Sequence, residues 1–294
     1  MFEFFQQVAA IAVPVFVIAI MLNVGLTQRA SRILECLKGW PFVLRMLVAN
    51  FVAAPVAMIL IVRVLDLAPA FEAGLLVYSL SAGAPFLIKL TEAAEHDVAL
   101  GASTMLVLMV LTVAYLPLVL PRFVEGTEVD AGAVGRTLVL QMMVPLVAGM
   151  IAVQVAERIS SQIQPWVARV GNITLPVVIG AIIVGYLPAI LDMIGGGAIF
   201  AMLLFTAAAL GFGWLAGAGN DALQDVGALA TAQRNNAAAL IVAAENFDDP
   251  AVLVVIAVGS TVVLLLLMPI ARRLARDDQQ PGVTSAPASR EGRP

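Results

Sequence analysis

Nine runs of about twenty apolar residues divide the chain, at 8–26, 41–64, 72–91, 98–120, 137–156, 171–190, 197–217, 222–245 and 250–271. Each is long enough to cross the hydrocarbon core of a bilayer as a helix, with every backbone N–H and C=O bonded inside the segment. A membrane β-barrel would instead show segments of about ten residues with alternating polarity. Between the runs lie polar stretches such as Thr27-Gln28-Arg29, Pro121-Arg122, Glu157-Arg158-Ile159-Ser160-Ser161 and Asp248-Asp249-Pro250.

Composition closes off the alternatives. Hydrophobic residues make up 61% of the chain and charged residues 12%, against roughly 45–50% and about 25% in soluble domains. Too little polar surface is left to cover a soluble fold. A net charge of −4 gives no reason to expect a nucleic-acid partner. With one cysteine, Cys36, and one histidine, His96, neither a disulfide framework nor a His- or Cys-based metal centre is expected. No cofactor motif, paired deep carboxylates or Ser–His arrangement is present, so an enzyme is not expected either.

The start carries Glu3 and no basic residue before a run long enough to span, which reads as a first anchor rather than a cleaved signal. Arg29, Arg32, Lys38, Arg158, Arg169, Arg272, Arg273 and Arg276 fall on one side of a nine-span path, and only Arg63, Arg122 and Arg136 on the other. The positive-inside rule then places this multi-pass protein in the cell membrane with its N-terminus outside and its C-terminus cytoplasmic. Residues 1–272 read as one transmembrane domain. Residues 273–294, rich in Ser, Pro, Gly and Gln toward the end, read as a disordered cytoplasmic tail.

Two runs are interrupted. The third contains Ala82-Gly83-Ala84-Pro85, where proline removes a helix hydrogen bond and glycine permits a turn. The eighth contains Thr231-Ala232-Gln233-Arg234-Asn235-Asn236. Successive helical positions point about 100° apart, so these polar residues cannot all avoid lipid on one helix face. The two runs also end alike, in Ala93-Ala94-Glu95-His96-Asp97-Val98-Ala99 and Ala243-Ala244-Glu245-Asn246-Phe247-Asp248. They lie five spans apart, an odd offset that inverts the second copy. Paired interrupted helices in inverted repeats point to a transporter's central site.

Met21-Leu22-Asn23-Val24-Gly25-Leu26-Thr27, Ala49-Asn50-Phe51 with Pro55, Asp97-Val98-Ala99-Leu100 and the Asn235-Asn236 stretch occur in an order that resembles the bile acid:sodium symporter family over most of residues 15–272. The resemblance implies an all-α polytopic fold of nine transmembrane helices, the first here answering to the family's second span. It further implies a panel domain and a core domain in which the two broken helices cross. Substrates in the family are amphipathic or small organic anions, usually coupled to sodium. The chain departs from the coupled members at the third-span break: where they read Pro-Gly-Gly-Thr-Ala-Ser-Asn, this chain has Ala82-Gly83-Ala84-Pro85-Phe86-Leu87-Ile88. Gly101 and Met105 stand at matched positions of the next span, and Thr231 stands where the family's sodium-binding Glu falls. Pro85, Leu87 and Ile88 offer no side-chain oxygen to sodium.

Arg234 lies near the middle of a span, where a charge costs at least about 2.5–3.5 kcal/mol and cannot easily reach an interface. Asp66, Glu72, Glu92, Glu95, Asp192, Asp221, Asp225 and Glu245 all fall near span ends, so a deep cation without a deep acid invites an exogenous anion. A guanidinium can give a carboxylate or sulfonate two parallel hydrogen bonds. Lys89 has two readings: a second site cation, or a side chain that reaches the interface and pairs with Glu92 or Glu95. The candidate substrate-binding set is therefore Arg234, Asn235, Asn236, Gln233, Thr231, Lys89, Asn50 and Pro85, with no metal ligands. Asn23, Gln141, Gln154, Asn172 and Thr174 read as helix glue, and Gly213 and Gly217 as a close-packing pair. Cys36 falls in a connector, not at membrane depth, which argues against an arsenite carrier. The expected function is secondary transport of a small organic anion, with sodium, a proton or no ion coupled to it. The alternative is a receptor or structural protein that keeps the fold.

Overall fold

A computed structural model describes residues 2–28, 39–123 and 130–278. Among them the only regular elements are helices. Arg29, Arg32, Cys36, Lys38 and the tail from residue 279 lie outside the described residues, as does the Arg276 side chain.

The helices are α1 (Phe2–Thr27), α2 (Trp40–Leu65), α3 (Pro69–Leu80), α4 (Leu87–Ala93), α5 (Val98–Phe123), α6 (Ala131–Val155), α7 (Glu157–Gly185), α8 (Leu187–Gly195), α9 (Ala198–Ala216), α10 (Asp221–Ala232), α11 (Asn236–Asn246) and α12 (Pro250–Asp278). Seven of them, α1, α2, α5, α6, α7, α9 and α12, are long and apolar enough to cross a membrane unbroken. The other two expected runs are each split into two short helices, α3/α4 and α10/α11. The fold is thus a polytopic helical one with seven unbroken candidate spans rather than nine.

The polar residues Glu157 to Ser161, read from sequence as a connector, form the first turns of α7 instead. Their exposed face stays at the surface while Gln164 Nε2 donates to Asn23 Oδ1 of α1 at 2.9 Å. α12 continues as helix to Asp278, beyond residue 272.

α1 packs against α6 and α7, and the split spans pack against α2, α5, α9 and α12. Close approach depends on missing side chains. A Cβ on Gly213 of α9 would sit 2.0 Å from the Gly227 carbonyl oxygen of α10, and one on Gly217 would sit 2.2 Å from Gln224 N. The Gly213/Gly217 pair therefore joins two helices of one chain, α9 and α10, through backbone contact.

Candidate functional site

The first break begins where α3 ends at Leu80. Gly83 takes φ +80°, and a Cβ there would lie 2.2 Å from the Met109 N of α5. Only glycine meets both demands. The backbone groups freed at the break are taken up by side chains and by the partner break. The Thr112 hydroxyl of α5 accepts from Ala82 N at 3.1 Å and donates to Ala82 O at 3.0 Å, standing in for lost helical bonds. Ser81 O accepts from Asn235 N at 2.8 Å. The two interrupted spans therefore meet backbone to backbone, at Ser81 and Asn235.

The second break spans Gln233, Arg234 and Asn235, between α10 and α11. Asn235 caps α11, its Oδ1 accepting from Ala238 N at 3.1 Å. Arg234 thus sits between the carbonyl end of α10 and the N–H end of α11. Gln233 Nε2 donates to Arg234 O at 3.4 Å.

A third element completes the arrangement. In α2, residues Ala49–Ala53 form a π-turn, with the Ala54 N–H bonded to Ala49 O. Pro55 follows and has no N–H, so neither Asn50 O nor Phe51 O finds the donor an ordinary helix would give it. Both are claimed from outside. Arg234 Nη1 donates to Asn50 O at 3.4 Å and to Asn50 Oδ1 at 3.2 Å, and the Tyr115 hydroxyl donates to Phe51 O at 2.6 Å. Asn50 Nδ2 donates to Thr231 Oγ1 at 3.1 Å and to Met46 O at 3.0 Å, while Thr231 Oγ1 donates to Gly227 O at 2.9 Å. Asn50 is the hub that holds Thr231 and Arg234 in register.

Arg234 is fully buried. Its Cζ lies 5.3 Å from the centroid of the Phe205 ring of α9, within cation–π range. Tyr78 of α3 meets the same ring edge-on at 6.2 Å. The ionisable side chains that act on Arg234 electrostatically are Tyr78 and Tyr115, and among the described residues no carboxylate pairs with it. Its Nε and Nη2 have no hydrogen-bond partner, so the two parallel N–H groups of one guanidinium edge, and the second N–H of Nη2, are unused. Asn235 Nδ2, Asn236 Oδ1 and Gln233 Oε1 are likewise buried without partners, while the Tyr78 hydroxyl faces the Arg234 backbone.

The structure therefore brings together Asn50, Thr231, Gln233, Arg234 and Asn235, with the half-buried Asn236 opening α11. Pro85 shapes the turn after Gly83. Lys89 does not join them. Its side chain is 66% exposed and pairs with Glu92 at 3.2 Å, because α4 is only seven residues long and Lys89 lies on its outward face. A cleft of about 240 Å³ also lies away from Arg234, lined in part by Arg63, Asp66, Glu72 and Arg122. Gln141 and Asn23 do bond neighbouring helices, Gln141 Nε2 to Glu245 of α11 and Asn23 to Gln164 of α7.

Sequence reasoning missed Tyr78 and Phe205, whose aromatic character alone does not separate them from core residues. It also missed a pair 129 residues apart, His96 Nε2 and Asp225 Oδ2, 2.9 Å from each other with side chains 5% and 14% exposed.

Interrupted helices meeting around a buried charge, in a bundle of apolar spans, are the architecture of a secondary transporter. Residues 14–193 match the sodium bile acid symporter family. The match covers more than half of the chain, which belongs to this family of membrane transporters. No curated protein sequence matches it.

Proposed function

We propose that this chain carries a small organic anion across the membrane and binds it at Arg234. The observation that supports this most directly is the unpartnered Nε–Nη2 edge of a fully buried guanidinium. Buried donors left unmade cost about 1–3 kcal/mol each, more when charged, and a carboxylate or sulfonate would satisfy two of these at once. The N-terminal end of α11 adds to the positive potential. Asn235, Asn236 and Gln233 supply further unmatched amide atoms, and Asn50 and Thr231 position the arginine. The arrangement around Arg234 is closed, so an anion reaches it only when the surrounding helices part.

The split spans α3/α4 and α10/α11, added to the seven unbroken helices, make nine crossings. In this reading α1, α6 and α7 form the panel domain, and the split spans with α2, α5, α9 and α12 form the core. The N-terminus is outside and the C-terminus, with the tail, cytoplasmic. Reporter fusions at the two termini test this path: a periplasmic or extracellular signal is expected from the N-terminal fusion and a cytoplasmic one from the C-terminal fusion. Two signals from the same side would refute nine crossings.

The site itself is tested by thermal unfolding of the purified protein with organic anions and with neutral amides of matching shape. A bound anion at about a hundred times its Kd stabilises by about 2.7 kcal/mol, so anions should raise the midpoint and amides should not. Equal response to both would remove the basis for an anion site.

A further inference from the structure

We infer that α7 carries a binding site for the headgroup of an anionic phospholipid, made by Arg169 and Arg158 on the outward face of the bundle. The inference does not depend on anion binding at Arg234, only on α7 crossing the bilayer. Gly171, Val178 and Gly185, all buried, lie on the face of α7 that packs against α1. Arg169 is two residues, or about 200°, from Gly171 and so points the opposite way. Arg158, Gln162 and Arg169 follow at intervals of four and seven residues, which return to one side of a helix, and all three are exposed. Beside them runs an uncovered apolar stripe of Ile159, Ile163, Trp166 and Val170, with Trp166 68% exposed. On a spanning helix such a stripe lies against acyl chains.

The packing of α7 on α1 sets the depth of Arg169. A Cβ on Gly171 would lie 3.9 Å from Ile20 N and 4.0 Å from Ala19 Cβ, and one on Gly185 would lie 3.1 Å from Gln6 N. The two helices therefore run antiparallel, with Arg169 about level with Met21. α1 ends at Thr27, six residues or about 9 Å further on. Arg169 thus starts inside the hydrocarbon layer, where a charge without a partner is costly. Helical side chains tilt toward the helix N-terminus, and that end of α7 lies beside the end of α1. The guanidinium is therefore directed at the nearest headgroups. Arg158, eleven residues or about 16 Å below, stands on the aqueous side of the same layer. The two arginines bracket the level at which lipid phosphates sit, in the cytoplasmic leaflet in the proposed orientation.

The chain supplies no anion there. Among the described residues neither arginine has a carboxylate partner. α7 has no acid after Glu157, twelve residues from Arg169. Of the helices packed on α7, α1 has only Glu3 at its far end, α6 has none, α8 has Asp192 at the opposite end of α7, and α12 has none before Asp277. A lipid phosphate brings a permanent negative charge and oxygens that a guanidinium can hold with paired donors. Its chains lie along the apolar stripe, with Trp166 near headgroup level, where tryptophan is favoured. Both bracketing charges are positive, and no carboxylate on this face is placed to take the ammonium of a zwitterionic headgroup. The site is therefore selective for a lipid of net negative charge.

The test is native mass spectrometry of the full chain, stripped of lipid in a neutral detergent and titrated with phosphatidylglycerol or phosphatidylcholine of identical acyl chains. The first phosphatidylglycerol should bind at least about fivefold more tightly than the first phosphatidylcholine. Arg169→Gln and Arg158→Gln should each weaken it by about fivefold, the effect of one basic residue at an anionic headgroup layer, and leave phosphatidylcholine binding unchanged. Both positions are exposed, so the melting temperature without lipid should not move. Arg169→Lys keeps the charge and should keep a preference for phosphatidylglycerol. Arg234→Gln should bind this lipid as the parent does, which separates the site from the central one. Inorganic phosphate has no chains to lie on the stripe and should not displace the lipid. Equal affinity of the parent for both lipids, a preference unchanged in both glutamine variants, or displacement by inorganic phosphate would overturn the site. A stable dimer that Arg169→Gln dissociates would also overturn it and assign the face to a second copy. Failure of the anion-stabilisation assay would count against Arg234 and not against this face.

Discussion

Replacing Arg234 with glutamine is expected to leave a folded protein that no longer responds to organic anions. Hydrogen bonds to a charged group contribute about 1.5–3 kcal/mol each. Losing about 2 kcal/mol corresponds to roughly thirty-fold weaker binding, and losing both bonds of the fork to more. The unliganded variant should unfold at the same temperature as the parent or above it. Arg234 has no carboxylate partner among the described residues, so its removal leaves no buried acid uncompensated, the usual reason that breaking an ion pair destabilises. What the variant loses are the Nη1 bonds to Asn50 O and Asn50 Oδ1. Arg234→Lys separates fork from charge: lysine restores the charge but not the parallel donors, and recovers only part of the affinity. A structural arginine behaves in the opposite way, with lower stability in Arg234→Gln and unchanged anion binding. Isothermal titration alongside thermal unfolding tells the two apart.

The sequence made the spans readable because lipid imposes one strong constraint, about twenty apolar residues per crossing. The breaks were readable for a related reason. Gly83 and Pro85 cannot sit comfortably in a continuous helix, and Gln233-Arg234-Asn235-Asn236 cannot face lipid. What the pattern could not give is direction. Hydropathy marks Lys89 as close to a break but says nothing of the short α4, whose register turns it out to Glu92. Nor does hydropathy separate a seven-helix count from nine, because a split span and a whole one have the same apolar content. The polar stretch 157–161 read as a connector because composition does not distinguish a loop from the exposed end of a long helix.

Asn50 illustrates a subtler limit. Its amide was a visible candidate, yet its role depends on Pro55, which strips the donor from the Asn50 carbonyl, and on a π-turn that no periodicity reveals. The pairings of Asn50 with Arg234, Ser81 with Asn235 and His96 with Asp225 link residues far apart in the chain. Such contacts follow from how the two split spans are brought together, and a single sequence carries no record of that. Tyr78 and Phe205 are the same case: their neighbours, not their identities, make them part of the site.

Uptake of the anion into liposomes is expected to continue when external sodium is replaced by potassium or choline at fixed pH, a result that would set this chain apart from the sodium-coupled members of its family. A sodium site needs several oxygen ligands converging on one point. At the first break Pro85, Leu87 and Ile88 bring none on their side chains. At the second, Thr231 Oγ1 is already committed to Gly227 O and Asn50 Nδ2, and both oxygens of Asn50 receive the Arg234 guanidinium. The Asn50 oxygens therefore already serve a cation that is part of the chain, and the unpartnered amide oxygens left at the centre, Gln233 Oε1 and Asn236 Oδ1, are fewer than the several that sodium needs. A sodium ion about 5 Å from that guanidinium would meet a repulsion of about 3 kcal/mol at an effective dielectric constant near 20, with no carboxylate among the described residues beside Arg234 to offset it. Lys89, exposed and paired with Glu92, takes no part, so Arg234 alone is the fixed charge expected to stand in for dissociable ones. Initial rates should agree within about a factor of two across the three cations, well below the tenfold that 1.4 kcal/mol of coupling would produce. Uptake that collapses without sodium and recovers with its concentration would show that backbone carbonyls at the breaks build a cation site despite Arg234. In Arg234→Gln the same oxygens lose their resident charge, so any sodium dependence that appears there and not in the parent would identify the guanidinium as the group that replaced the ion.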